Sequence, residues 1–254
     1  MGLLSEHFVI DTIPVEVRRN KRRRTRIGMM FDPTGYVIMD APVDTSEAEI
    51  RSVVSEHYRW LRYRLTKVQE AYEQFPTLHY ENGEIVHYLG SPFMLCIKRG
   101  ASQSVVCYES SRAQLPLFSY LPRGELRLTL AVINPGTIRD ALNGWYRERA
   151  QAVFTERFER WASLPWLRNG LPEWRHAFMR SQWGSCSTTG KISVNTHLIK
   201  TPGDLIDYVL LHELCHLKHH NHGKRFYALM SRHMEDWEFR RKQLNRYLPV
   251  LVQE

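Results

Sequence analysis

No apolar run in this 254-residue chain approaches the roughly 18 residues that a membrane-spanning helix needs. The opening stretch, MGLLSEHFVIDTIPVEV, lacks the basic segment followed by an apolar one that marks a secretory leader. It also misses the N-myristoylation pattern, because position 6 is Glu6 rather than Ser or Thr. No membrane partner is expected, and the cytoplasm is the expected compartment. Cysteine is scarce: four residues, Cys96, Cys107, Cys186 and Cys215, with no C-x-x-C pair. In a cytosolic chain these read as free thiols rather than a disulfide framework. Repeats and low-complexity linkers are absent.

Acidic residues are lacking in one place. The stretch RRNKRRRTR carries seven basic side chains, Arg18, Arg19, Lys21, Arg22, Arg23, Arg24 and Arg26, and no acid. The chain as a whole has 35 Lys and Arg against 27 Asp and Glu, a formal charge of +8, so removing that stretch leaves only +1. Any claim about nucleic acid or nucleotide phosphate as a partner therefore rests on residues 18–26. The alternative is a solvated face that blunts an exposed edge strand. No aromatic residue interleaves the run, which excludes a base-stacking platform there.

Residues 13–43 read as a β-hairpin with D-P-T-G at 32–35 as its turn. Ser46 and Glu49 have capping-box spacing and open one long helix whose face is Ile50, Val53, Val54, His57, Trp60, Leu61, Val68 and Tyr72. Four strand-like runs follow between 84 and 133. NPGT at 134–137 then starts a second long helix. Near Trp174 come HAFMR and KISVN, read as short strands around a GSCSTTG turn. TPGD at 201–204 is a helix start, with Thr201 as cap and Pro202 at the first helical position. The expected fold is α+β. A β-rich part with one long helix spans 1–135, and a compact helical part with a small sheet spans 136–254, the two forming one continuous unit.

That last helix carries the most specific pattern in the chain, His212-Glu213-Leu214-Cys215-His216, or H-E-x-x-H. Residues four apart share a helix face, so His212 and His216 can aim two imidazoles at one point. Glu213 is turned about 100° away, which suits it to contact water rather than the metal. Zinc held by three protein groups lowers the pKa of water at its open position to about 7. A carboxylate within reach then takes the proton as a carbonyl is attacked. Asn221 and Gly223 tolerate left-handed backbone, and a break there lets His222 fold back as third ligand. His219, His220 and Glu235 compete for that role.

SQWGSCS (181–187), ISVN (192–195), IDYVLLHELCHLKHHNHGKRF (206–226) and VEVRRNKRRRTRI (15–27) together resemble the YgjP-like zinc metallopeptidase family. That family is related to minigluzincin-type zincins and more distantly to SprT-like proteases. The resemblance implies zinc bound by His212, His216 and His222, with Glu213 as base. It departs at Gln182, where the family often has Arg, and at Gly223, where it often has Ser or Thr. His219 and His220 are extra imidazoles. Some members are assigned nucleotide pyrophosphate hydrolysis, such as of UTP.

The expected function is therefore zinc-dependent hydrolysis of a peptide or protein substrate. The alternatives are hydrolysis of a nucleoside triphosphate at the same centre, or a zinc-stabilised adaptor for nucleic acid or a partner. Trp183, Gly184, Ser185 and Cys186 read as a tight turn beside the H-E-x-x-H helix. Ile192, Ser193, Val194 and Asn195 read as the edge of a sheet above the metal, with which an extended peptide could pair. Arg180 and Arg225 are candidates for holding an oxyanion or anionic substrate.

Overall fold

The computed structural model describes residues 5–21, 27–31, 36–110 and 122–252. Four of the seven basic residues, Arg22, Arg23, Arg24 and Arg26, lie outside them, as does the D-P-T-G turn at 32–35. The fold is α+β, with three small mixed sheets and six α-helices among the described residues. By packing, the chain divides into Met1–Pro76 and Thr77–Glu254. Position 135, where composition changes from strands to helices, falls inside the second unit.

The first unit holds β1 (Ser5–Ile10), β2 (Ile13–Arg19), β3 (Gly28–Phe31) and β4 (Val37–Ala41), in sheet order β1-β2-β4-β3. The hairpin formed across 32–35 is β3–β4, antiparallel from Gly28–Asp40 to Phe31–Val37, while β2 pairs with β4 in parallel. The basic stretch thus begins on an interior strand, not an edge. There, Arg18 Nε donates to Glu16 at 2.7 Å, and Arg19 pairs with Glu6 at 3.1 Å. Ile13, Val15 and Val17 alternate on the buried face, the period-2 pattern of a half-buried strand. The expected long helix is two helices, α1 (Glu47–Glu56) and α2 (Tyr58–Gln74), broken where His57 leaves helical geometry at φ −102°, ψ 11°. The Ser46–Glu49 capping box is present, and Ile50, Val54, Leu61 and Leu65 pack on the sheet residues.

In the second unit, β5 (Ile85–Tyr88), β6 (Ser91–Arg99), β7 (Ser104–Glu109) and β8 (Gly124–Leu130) form a sheet in order β5-β6-β8-β7. The long helix α3 (Pro135–Arg160) starts with Asn134 and Thr137 capping each other. It shares one core with β6, β8 and the segments that follow, which is why packing continues through position 135. Next come β9 (Trp174–Ala177), β10 (Gly184–Cys186) and β11 (Ile192–Asn195), then a 3-10 turn at Thr196–Lys200. Helices α4 (Gly203–His216), α5 (Lys224–His233) and α6 (Trp237–Leu244) follow, and a 3-10 helix at Asn245–Val252 ends the described residues.

Helix α4 is buried nearly all round: Leu205, Ile206, Tyr208, Val209, Leu210, Leu211, Leu214 and Cys215 are all inside. That explains its apolar sequence. Its N-terminus is fixed by Arg157 of α3, which donates to Asp207 and to the Gly203 carbonyl, both at 2.7 Å. A Cβ at Gly203 would occupy the guanidinium's place, 2.0 Å from Nη2. Thr201 is not the cap of α4: its hydroxyl donates to Leu198 O at 2.8 Å, closing the preceding 3-10 turn, and Pro202 stands at the N-cap. No helix among the described residues is long and apolar enough to cross a membrane.

Candidate metal centre

The i, i+4 spacing on α4 brings His212 and His216 together, with Nε2 atoms 3.2 Å apart. The helix ends at once, as the run of polar residues after Lys218 requires. Gly223 N–H donates to Asn221 O at 2.7 Å, a γ-type turn centred on His222. This turn uses no left-handed residue. Gly223 is extended at φ −90°, and Asn221 is not among the positive-φ residues. It carries His222 back to α4, with its Nε2 3.0 Å from that of His212. One ring nitrogen from each of the three histidines falls in a cluster within 4.8 Å.

Neither His219 nor His220 nor Glu235 joins this cluster among the described residues. His219 serves through its backbone instead: His216 Nδ1 lies 3.1 Å from His219 O. A carbonyl only accepts, so Nδ1 carries the hydrogen and Nε2 presents a lone pair to the cluster. Burial and the neighbouring imidazoles push His212 down to about 3, and burial also lowers His216. Neutral, lone-pair-bearing imidazoles are the form a metal takes. Three nitrogens bound tetrahedrally to zinc lie roughly 3.3 Å apart. The donor set fits zinc in chemistry, and the His212–His216 and His212–His222 pairs, at 3.2 and 3.0 Å, have that spacing.

Glu213, next to His212 on α4, is 4% exposed. Oε2 has no hydrogen-bond partner among the described residues, and burial pushes the carboxyl up to about 8. Gly184 of β10 presses on it: a Cβ there would lie 2.7 Å from Oε1. Beneath the imidazoles lies Phe226 of α5, fully buried, its ring centroid 4.9, 4.7 and 4.8 Å from those of His212, His216 and His222.

A family model described as YgjP-like, metallopeptidase domain, matches residues 25–247. The chain belongs to this family. Neither the curated proteins nor the solved structures gave a match.

Within this YgjP-like metallopeptidase chain, two expectations about the surroundings of the histidines change. The W-G-S-C segment is not a tight turn. Gly184–Cys186 is a strand paired antiparallel with β11, and the turn lies beyond it, where Ser187 N–H donates to Lys191 O at 2.9 Å. Ile192–Asn195 is not a sheet edge. The order is β10-β11-β9, so β11 is bonded on both sides, and Ile192, Val194 and Asn195 are buried while Ser193 is half-buried. A peptide finds no free backbone on it.

Asn195 has a different task. Its Nδ2 donates to Met179 O at 2.6 Å and Gln182 O at 2.7 Å, while Oδ1 accepts from Met179 N and His197 N. All four hydrogen-bonding positions of the amide are used. The side chain thereby ties down the loop that delivers Gly184 to Glu213. Arg180 lies on that loop and Arg225 in the first turn of α5; both are exposed.

Sequence reasoning missed Phe226, Tyr227, Trp237 and Arg241. The ring of Tyr227 stacks on that of Trp237 at 4.9 Å and lies parallel to His222 at 6.2 Å. The apolar spacing of FYALM marks a helix face, but only the three-dimensional placement of α5 and α6 shows that this face floors the histidines.

Proposed function

We propose that this YgjP-like metallopeptidase is a zinc-dependent peptide hydrolase, with His212, His216 and His222 as metal ligands and Glu213 as general base. The observation carrying this reading is the convergence of three imidazole nitrogens within 4.8 Å on and after a helix in which the residue next to His212, Glu213, is a buried carboxyl group with no partner on Oε2 among the described residues. A buried, unpaired carboxylate is costly unless a cation stands near. Burial alone would leave Glu213 protonated at neutral pH. A divalent cation held by His212, His216 and His222 would favour the ionised form of Glu213, and with it the capacity to accept a proton.

Bound zinc would supply a Lewis acid that polarises a carbonyl and acidifies water. The chain's own residues do the rest. The His216–His219 hydrogen bond fixes one imidazole's tautomer and orientation. Phe226 shields the underside from water. Glu213, held by Gly184 on one side, takes a proton from the attacking water and can return it to the leaving amine. The substrate strand would lie on β10 rather than β11. Trp183, bonded to Asn195, and Ser187, bonded to Lys191, face β11, so the alternating pattern turns the backbone groups of Gly184 and Cys186 outward, beside Glu213.

The test is metal content followed by hydrolysis. Purified protein should carry about one zinc per chain. His212→Ala and His216→Ala should lose it, and peptide cleavage should follow the zinc. Cleavage of nucleoside triphosphates but of no peptide would replace the substrate class while keeping the centre. Failure to take up zinc at all would remove the centre itself.

A further inference from the structure

Two consecutive arginines on α6 live in different surroundings. Arg240 is committed: its Nε donates to Asp236 at 2.8 Å and its Nη1 to Asp204 O at 3.2 Å. Arg241 makes no ion pair among the described residues and is exposed. It is nevertheless held, because its guanidinium lies over the ring of Trp237 at 5.1 Å.

That ring belongs to a column. Trp237 stacks on Tyr227 at 4.9 Å and 15°, and Tyr227 lies parallel to His222 at 6.2 Å and 24°. Trp237 is buried, and its Nε1 is tied to Ser231 Oγ at 2.9 Å. The platform under Arg241 is therefore rigid and anchored on the candidate metal centre. Helix α6 packs against α4, the helix that carries His212 and His216.

A guanidinium with one face on an indole still has its N–H edge free, and that edge matches a planar or tetrahedral oxyanion by paired hydrogen bonds. Desolvation of the face by Trp237 strengthens those bonds. Side-chain entropy is already reduced by the platform, so less is lost when an anion docks.

We propose that Arg241 is the anion-recognising residue of this site, binding an oxyanion of the substrate at the end of the ring column that begins at His222. The inference rests on the reading of the histidine cluster as the reaction centre. The shared chemistry is an oxyanion, and it has two sources: the terminal or side-chain carboxylate of a peptide, or the phosphate of a nucleotide.

The experiment is direct binding to zinc-loaded protein by calorimetry, with three probes. They are a blocked dipeptide with a free carboxylate, the same dipeptide as its amide, and inorganic pyrophosphate. Wild type and Arg241→Gln are compared, with Arg241→Lys as the variant that keeps the charge but loses the fork. Melting temperature and zinc content serve as folding controls. A paired, charge-assisted contact is worth about ten- to a hundredfold. Arg241→Gln should weaken carboxylate binding by that factor and leave the amide unchanged, with Arg241→Lys in between. The same loss seen only for pyrophosphate assigns the anion to phosphate. Equal affinities in wild type and Arg241→Gln for both anions overturn the proposal, as does a wild type that binds neither. Because binding is read without turnover, a protein that binds the anion through Arg241 but cleaves neither peptide nor triphosphate separates failure of the proposed reaction from failure of this inference.

Discussion

Gly184 and Glu213 share one space: a Cβ at position 184 would stand 2.7 Å from Oε1, 2.9 Å from Cγ and 3.0 Å from Cδ of the glutamate. The strand can lie against α4 only because position 184 has no side chain. Gly184→Ala should therefore cost about 1–3 kcal/mol by overpacking and misplace the carboxyl group. The clean test is a double-mutant cycle on unfolding free energy. In a Glu213→Ala background the cost of Gly184→Ala should largely vanish. An equal cost in both backgrounds would mean that the contact is not what excludes a side chain.

The proposed third ligand, His222, is separable by experiment from its neighbours. His222→Ala should weaken zinc binding by orders of magnitude. His219→Ala keeps the backbone carbonyl that accepts from His216, and His220 is exposed, so both variants should retain the metal. Zinc release from His219→Ala alone, measured with a chromogenic chelator, would contradict the ligand set.

Asn195 is a positioning residue, with its amide fully bonded and 0% exposed. Asn195→Ala leaves the Met179 and Gln182 carbonyls without their donor. It should cost roughly 2–4 kcal/mol, and kcat should fall through disorder of the loop that leads to β10. Asn195→Asp keeps the acceptor and loses both donors, so it should not rescue. A stability within about 0.5 kcal/mol of wild type would show that the clamp contributes little.

Acid should unfold the metal-free protein, partly through imidazoles outside the histidine cluster. Burial, with the charge of Lys200 adding to it, pushes His197 down to about 2 and His87 down to about 4. In the unfolded chain both protonate near 6.5. Below that pH the unfolded state binds more protons than the folded one, so stability falls as pH drops from about 6.5 toward 4, and further for His197. Each group contributes up to about 1.4 kcal/mol per pH unit in that window. The urea midpoint of wild type should therefore fall more steeply than that of His197→Phe between pH 7.5 and 5. Parallel curves would mean that His197 takes its proton readily in the fold.

Much of the centre is legible in the sequence because it is local. His212, Glu213 and His216 are related by helix geometry alone, and His222 follows from a short turn. The α3 capping residues and the period-2 burial of β2 are equally local. What was not legible depends on pairing at a distance. KISVN reads as a strand, but whether it is edge or centre depends on Trp174–Ala177 pairing with it in parallel, and no local pattern encodes that. The tight turn read into W-G-S-C has the same cause, since three residues become a strand only when a partner lies beside them. The break at His57 interrupts a continuous apolar period. Trp237 and Arg241 look like ordinary amphipathic helix residues until α6 is brought beside α4.

The central claim is that Glu213 moves a proton and does not hold the metal, and Glu213→Gln measures this most directly. The substitution keeps size and shape while removing the base. The variant should bind about one zinc per chain, melt near or above wild type because an ionisable group has left a buried site, and lose about 10²–10⁴-fold in kcat on the substrate that wild type cleaves. A variant that keeps the wild-type rate, or one that loses its zinc, would contradict the account.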